Sequence, residues 1–351
     1  MLSPIVIPKP HLGTNNPESM PQRLQDLNAW LAGPVGLSGF EITPASGDAS
    51  FRRYFRVSCN GQSYIAMDAP PDKEDSHPFV EIARRFREQG VNVPRIHAQD
   101  LAQGYLLLDD FGSTHYLDVL DKGSVELLYG DAIRALCRIQ QHAPWDGLPP
   151  YDRPLLLREM ELFREWLCQR QLGLTLTDAE QRMLDETFGR LADSAQEQPH
   201  VCVHRDYHSR NLMVTNDNNP GILDFQDAVF GPVTYDLVSL LRDCYIRWPI
   251  ERVEAWAQDY LELALQSDIL GDEHREPFPR WFDLMGVQRQ LKAAGIFGRL
   301  NKRDGKPGYL KDIPRTLGYI LDVAPRYPML EGLAVLVRER VLPAMERQLE
   351  G

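Results

Sequence analysis

Val-Cys-Val-His-Arg-Asp-Tyr-His-Ser-Arg-Asn-Leu-Met-Val at 201–214, with Gly-Ile-Leu-Asp-Phe at 221–225, is the stretch whose reading decides the fold. Residues 201–203 are small or β-branched and apolar, which predicts a short buried strand. Residues 204–211 are polar and cannot continue it. Residues 212–214 predict a second strand, and Asn-Asp-Asn-Asn-Pro-Gly at 216–221 supplies turn chemistry. Residues 221–225 predict a third strand carrying Asp224. This order places Asp206, Asn211 and Asp224 at one end of a small sheet.

A carboxylate at Asp206 can take a proton from a substrate hydroxyl. The amide oxygen of Asn211 and the carboxylate of Asp224 are hard ligands that suit Mg²⁺, which draws its remaining ligands from water and substrate phosphates. His-Arg-Asp, four residues, then Asn is the spacing of a kinase catalytic loop, and Asp224-Phe225-Gln226 stands where such loops are followed by Asp-Phe-Gly. The two halves in order are far more specific than either alone. Cys202, His204 and His208 also offer metal-binding atoms, but no C-x-x-C or H-E-x-x-H frames them, so Mg²⁺ is expected over zinc.

The 351 residues predict about two domains, and 43% hydrophobic with 25% charged residues is ordinary for a globular protein. A net charge of −12 argues against nucleic acid or an anionic membrane as partner. Five scattered cysteines suggest no disulfide framework and hence a reducing cytoplasm. The first residues are broken by proline and read as neither signal peptide nor membrane span. A cytoplasmic monomer is expected.

Outward from the central stretch, the earlier half predicts a helix over 21–32, strands over 40–44, 51–57 and 63–67, a helix over 78–89, and strands over 91–98 and 104–108. The loop 45–50 reads by itself as a hairpin turn. Its small residues can also cover phosphates, and Arg52, Arg53 and Arg56 beside it favour that use. After Asp109 the pattern turns helical, over 125–140, 155–167, 178–195, 236–244, 251–266, 279–297 and 329–349. The expected architecture is α+β: an N-terminal lobe, 1–108, built on an antiparallel sheet with a helix, and a mainly helical C-terminal lobe, 109–351, holding the catalytic loop and the acceptor site.

With these residues in hand, the chain resembles the aminoglycoside phosphotransferase and choline kinase family, relatives of protein kinases. The match is best over 201–241. Within that family it is similar to the bacterial anomeric sugar kinases of cell-wall recycling, on Gly47-Asp48-Ala49-Ser50-Phe51-Arg52-Arg53-Tyr54 and on Gly295-Ile296-Phe297 through Tyr309. The resemblance implies a two-lobed kinase-like fold, ATP and Mg²⁺ as cofactors, and C1 of N-acetylmuramate or N-acetylglucosamine as phosphate acceptor.

It also implies roles. Asp206 would be the catalytic base, with Asn211 and Asp224 holding the metal. Asp236 would brace the loop, and His204 would be structural. His208 would help neutralise the phosphoryl group, or simply pack on Tyr207 or cap a backbone group. Gly47, Asp48, Ala49 and Ser50 would cover the phosphates. Residues 108–111, Asp109 and Phe111 among them, would present backbone groups to adenine. Met67 departs from the pattern, standing where kinases carry a lysine. Arg53 is the first choice to supply the missing charge, ahead of Arg52 and Lys73, and Glu81 would be the helix carboxylate.

The basic residues Arg289, Lys292, Arg299, Lys302, Arg303 and Lys306 suit an anionic sugar or form a solvated face. Other acceptors weighed are an aminoglycoside, choline or another small alcohol. A nucleotide-binding pseudokinase is the reading that Met67 would favour.

Overall fold

The computed structural model describes residues 22–47, 51–143 and 146–350. Asp48, Ala49 and Ser50 lie outside the described residues, as does the segment before Gln22. The chain forms two compact units, one of residues up to 77 with 96–110, the other of 78–95 with 111 onward.

The first unit contains helix α1 (Gln22–Ala32) and strands β1 (Glu41–Gly47), β2 (Arg53–Cys59), β3 (Gln62–Asp68), β4 (Ile96–Asp100) and β5 (Tyr105–Asp109). They form one antiparallel sheet in the order β1-β2-β3-β5-β4. Alternation explains its faces: Phe55 and Val57 of β2 are buried with Ala66, Tyr105 and Leu107 against Leu27, Trp30 and Leu31 of α1. The strand expected over 91–98 begins only at Ile96, because Val91–Arg95 make no ladder.

In the second unit, α2 (His77–Glu88; its first residue belongs to the first unit) buries Phe79, Ile82, Ala83 and Phe86, the stripe its 3.6-residue period predicts. Helices α3 (Tyr116–Val119), α4 (Val125–His142), α5 (Arg153–Leu162) and α6 (Asp178–Gln196) follow. The helix expected over 155–167 widens after Leu162 into a π-helical stretch, Phe163–Gln171. Next come β6 (His200–Val203), β7 (Leu212–Met213), β8 (Gly221–Ile222) and β9 (Val229–Pro232). Helices α7 (Tyr235–Leu241), α8 (Ile250–Gln266), α9 (Phe278–Asp304), α10 (Ile313–Val323), α11 (Glu331–Leu336) and α12 (Leu342–Glu350) complete the unit.

The central stretch departs from expectation in two respects. Its strands do not share a sheet: β6 pairs with β9, and β7 pairs with β8, as two separate ribbons. The third strand stops at Ile222 because Leu223 N–H bonds Asn211 O, at 2.9 Å, and Asp224 adopts φ +63°. A left-handed residue cannot continue a ladder.

Candidate active site

The loop between β6 and β7 is held from below by buried carboxylates. Asp236, in the first turn of α7, accepts hydrogen bonds from the backbone N–H of His204 (2.6 Å) and Arg205 (3.0 Å). Burial nevertheless pushes its carboxyl up to about 7. Asp243 accepts from the Ser209 N–H (2.9 Å) and hydroxyl (2.5 Å), and its other oxygen accepts from Tyr245 N–H at 2.8 Å. Asp243 lies two residues beyond the end of α7, and no local pattern in the sequence marked it.

His204 is fully buried and uses both ring nitrogens. Its Nε2–H donates to Leu223 O (3.0 Å) while Nδ1 accepts from Asp206 N–H (3.3 Å). Burial lowers it to about 4, so it stays neutral. Neither nitrogen is left for zinc, and burial raises the Cys202 thiol far above its ordinary range. His204 therefore ties the loop to the residue preceding Asp224.

The loop itself folds tightly. His208 N–H bonds Asp206 O at 3.0 Å, Asn211 N–H bonds His208 O at 2.9 Å, and Asn211 Nδ2 donates to Asp206 O at 3.0 Å. Asn211 Nδ2 also reaches Asp224 Oδ2 at 3.3 Å, and Gln226 Nε2 donates to Asp224 Oδ1 at 2.7 Å. Asp206, Asn211 and Asp224 are thus brought together as the spacing predicted. The donors fit Mg²⁺: an amide oxygen beside a carboxylate, both hard ligands. Among the described residues no group of three or more His, Cys, Asp or Glu could hold a metal ion, so the remaining ligands would be phosphate and water oxygens.

Beneath Asp206 lies a charge cluster that sequence reasoning missed. Arg205, held at φ +78°, donates through Nη2 to Glu159 Oε1 at 2.6 Å. Lys292 Nζ lies 3.2 Å from the same oxygen and donates to Tyr235 OH at 2.8 Å, while Tyr151 OH donates to Glu159 Oε2. Burial pushes Asp206 up, but the positive groups around it, Lys292 foremost, bring its carboxyl below the usual range. Glu159 is likewise held down by Lys292 and Arg205 against its burial. Lys292 reaches this place because α9 passes close to α5. A Cβ on Gly295 would sit 2.3 Å from the Leu162 carbonyl carbon. Nothing in the sequence distinguished Glu159 from Glu161 on the same helix.

His208 does not pack on Tyr207. Its ring meets Tyr245 edge-on, 5.4 Å between centres, and its Nδ1 is buried without a hydrogen-bond partner in the described residues. Tyr207 is instead the neighbour of His204, at 5.6 Å. Burial lowers His208, opposed by Asp243 and Asp206.

The other predicted site residues are placed as follows. Gly47 ends β1. Arg53 donates through Nε (3.0 Å) and Nη2 to Asp68, a buried carboxylate that Arg23 also binds (Nε, 2.8 Å). Met67 is fully buried in β3. Arg52 lies 3.3 Å from Glu74, and Lys73 3.5 Å from Asp72. Asp109 accepts or shares a proton with His97 Nε2 at 2.7 Å. The Phe111 ring lies where a Cβ on Gly221 would come within 2.6 Å of it. Glu81 pairs with Arg84 (2.9 Å) and Arg85 (2.7 Å) on its own helix. Arg289 and Lys292 are buried rather than part of a solvated face, and Arg303 pairs with Asp304.

A sheet unit and a mainly helical unit, with Asp206 and Asn211 on a braced loop and Asp224 just after β8, make the architecture of the kinase-like α+β class. The chain belongs to the phosphotransferase enzyme family, whose pattern matches residues 41–277. It is 49% identical over 322 residues to the N-acetylmuramate/N-acetylglucosamine kinase of Pseudomonas putida, covering 91% of this chain and 93% of that one. It is 45% identical to the protein of the same name from Pseudomonas aeruginosa, covering 90% and 96%.

Among solved structures it is similar to the ADP-bound aminoglycoside phosphotransferase APH(2'')-Ib, with TM-score 0.56, 16% identity, and 84% and 97% of the two chains covered. It is also similar to the choline kinase LicA from Streptococcus pneumoniae, with TM-score 0.59, 11% identity, and 84% and 98% covered. These two likenesses speak for the fold, and they agree with the expected two-lobed kinase-like architecture.

Proposed function

We propose that this chain is an ATP- and Mg²⁺-dependent kinase that phosphorylates the anomeric C1 hydroxyl of N-acetylmuramate and N-acetylglucosamine, in the re-use of peptidoglycan sugars. The observation that carries this reading is identity of 42–49% over about nine-tenths of the chain to kinases of that name. The site chemistry agrees with it. Asp206, kept anionic by Lys292 and its neighbours, would orient the sugar hydroxyl and accept its proton at the carboxylate. An anomeric hydroxyl is more acidic than an ordinary alcohol, so a carboxylate suffices as base.

Asn211 and Asp224 would hold Mg²⁺, which when bound neutralises charge on the phosphates. Catalysis then rests on positioning, and the bonds from Asp236, Asp243 and His204 fix the loop that carries Asp206. His208, which burial leaves neutral in the free protein, would help neutralise the transferring group by taking up a proton only once that anionic group is beside it. Gly47, Asp48, Ala49 and Ser50 would cover the phosphates, and the backbone at Asp109 and Phe111 would meet adenine. Arg53 spends its Nε and Nη2 on Asp68, so its Nη1 is the donor that would serve phosphate in place of the lysine absent at Met67. A cytoplasmic monomer fits the reading. Among the described residues no helix is long and apolar enough to cross a membrane.

The test is ADP release from ATP and Mg²⁺ with each sugar, with an aminoglycoside and with choline. Sugar-dependent release that falls at least about a thousandfold in Asp206→Asn, with ATP binding retained, is the expected result. Release only with the aminoglycoside or choline would transfer the chain to that acceptor class. ATP binding with no turnover of any acceptor would make it the pseudokinase that Met67 allows.

A further inference from the structure

We infer that Arg210 receives the carboxylate that distinguishes N-acetylmuramate from N-acetylglucosamine and so sets the preference between the two acceptors. This rests on the sugar-kinase reading above. The two sugars differ by a lactyl ether group, which is anionic at neutral pH. A site that takes both must offer a cation to the first and bear its neglect by the second. A buried cation without an anion is costly, whereas an exposed one stays hydrated when the neutral sugar is bound. The required residue is therefore an exposed, ordered cation with no carboxylate of the protein already on it, close to the catalytic loop.

Arg210 meets each condition. It lies on that loop, four residues after Asp206 and one before Asn211, and it is exposed. Its guanidinium carbon sits 4.6 Å from the centre of the Tyr245 ring and 5.6 Å from that of Tyr309. Tyr309 in turn stacks on Phe297 at 5.6 Å and 18°, and Phe297 approaches Tyr245 at 6.2 Å. Two rings thus hold the cation and Phe297 braces both of them. Among the described residues no carboxylate pairs with it. A guanidinium has five N–H donors in its plane, and contact of its face with the tyrosine rings leaves donors for a carboxylate.

The connection to the reacting centre runs through His208. Tyr245 meets the His208 ring at 5.4 Å, and the charges of both Asp206 and Arg210 act on that imidazole. The tight turn from Asp206 O to His208 N and from His208 O to Asn211 N keeps these side chains on one short segment.

Four other cations, all on α9, are less suited. Lys292 is buried on Glu159 and Tyr235. Arg289 is buried with its Nη1 on Cys244 Sγ at 3.4 Å. Arg303 pairs with Asp304. Arg299 is half-buried, and its guanidinium is disfavoured by burial and by the neighbouring Arg303.

Initial-rate kinetics of the full chain with both sugars test this in wild type, Arg210→Ala and Arg210→Lys. In Arg210→Ala the ratio of kcat/KM for N-acetylmuramate to that for N-acetylglucosamine should fall about tenfold or more, mainly through KM for the acid sugar, as loss of a charged hydrogen bond predicts. Arg210→Lys should recover part of the ratio. An unchanged ratio in Arg210→Ala, or a raised KM for ATP with the ratio intact, overturns the assignment while leaving the sugar-kinase reading standing. Wild type that turns over neither sugar removes that reading, and this inference with it.

Discussion

At the scale of single residues, the site depends on groups that never touch substrate. His204 is the clearest case. A histidine whose folded pKa is lowered from 6.5 to about 4 binds its proton more readily in the unfolded chain. Its stability contribution is complete above pH 6.5 and is lost as pH falls from 6.5 toward 4. Glutamine at this position keeps a donor and an acceptor but does not titrate. The stability of wild type relative to His204→Gln should therefore drop by about 2 kcal/mol between pH 7 and pH 5, read from urea midpoints at each pH. A difference independent of pH would mean that His204 takes up its proton in the folded protein as easily as in the unfolded one. Arg205 and Asp224 are two of the five non-glycine residues at positive φ among the described residues. Arg205 directly precedes the proposed base and Asp224 is itself a proposed metal ligand, the kind of place where such strain is most often retained.

At the scale of elements, α9 carries the argument. Lys292 and Gly295 lie three residues apart on it, and one makes the other possible. The missing side chain of Gly295 lets α9 approach Leu162, and that approach brings Lys292 to Glu159 on α5. Gly295→Ala should cost about 3 kcal/mol of stability, because backbone atoms cannot yield as a flexible side chain would. A loss below about 0.5 kcal/mol would show that the two helices part easily.

The charge cluster gives a second prediction. Lys292→Met leaves Glu159 buried with one cation fewer and should cost about 3 kcal/mol, as should Glu159→Gln. The double variant should lose clearly less than the sum, because the two single changes break one interaction. Additive losses in denaturant unfolding would contradict the coupling.

These elements also show what was legible beforehand. The stripe of α2, the extent of α4 and α6 and the five-stranded sheet followed from periodicity and turn residues, which are local properties. The pairing of β6 with β9 was not legible. Two strands of four residues carry too little pattern to choose partners, and the choice is made by the tertiary context.

At the scale of the whole molecule, the constellation of Asp206, Asn211 and Asp224 could be read from the sequence because kinase chemistry fixes its spacing along the chain. Glu159, Lys292 and Tyr235 come from three distant segments, 133 residues from first to last (292 − 159), so no local pattern joins them. The same reasoning applies to Arg210, whose partners Tyr245 and Tyr309 lie 35 and 99 residues away (245 − 210; 309 − 210). The excess of acid, −12 overall, does not set the character of the site, where cations are gathered under and beside one carboxylate.

The central claim, transfer of phosphate from ATP to the anomeric carbon of an amino sugar, is tested most directly by phosphorus NMR of the product formed from N-acetylmuramate. The account predicts one sugar phosphate whose phosphorus couples to the anomeric proton, absent when Asp206→Asn replaces wild type. A product with phosphorus coupled to a ring or hydroxymethyl proton elsewhere, or an undiminished yield from Asp206→Asn, would contradict it.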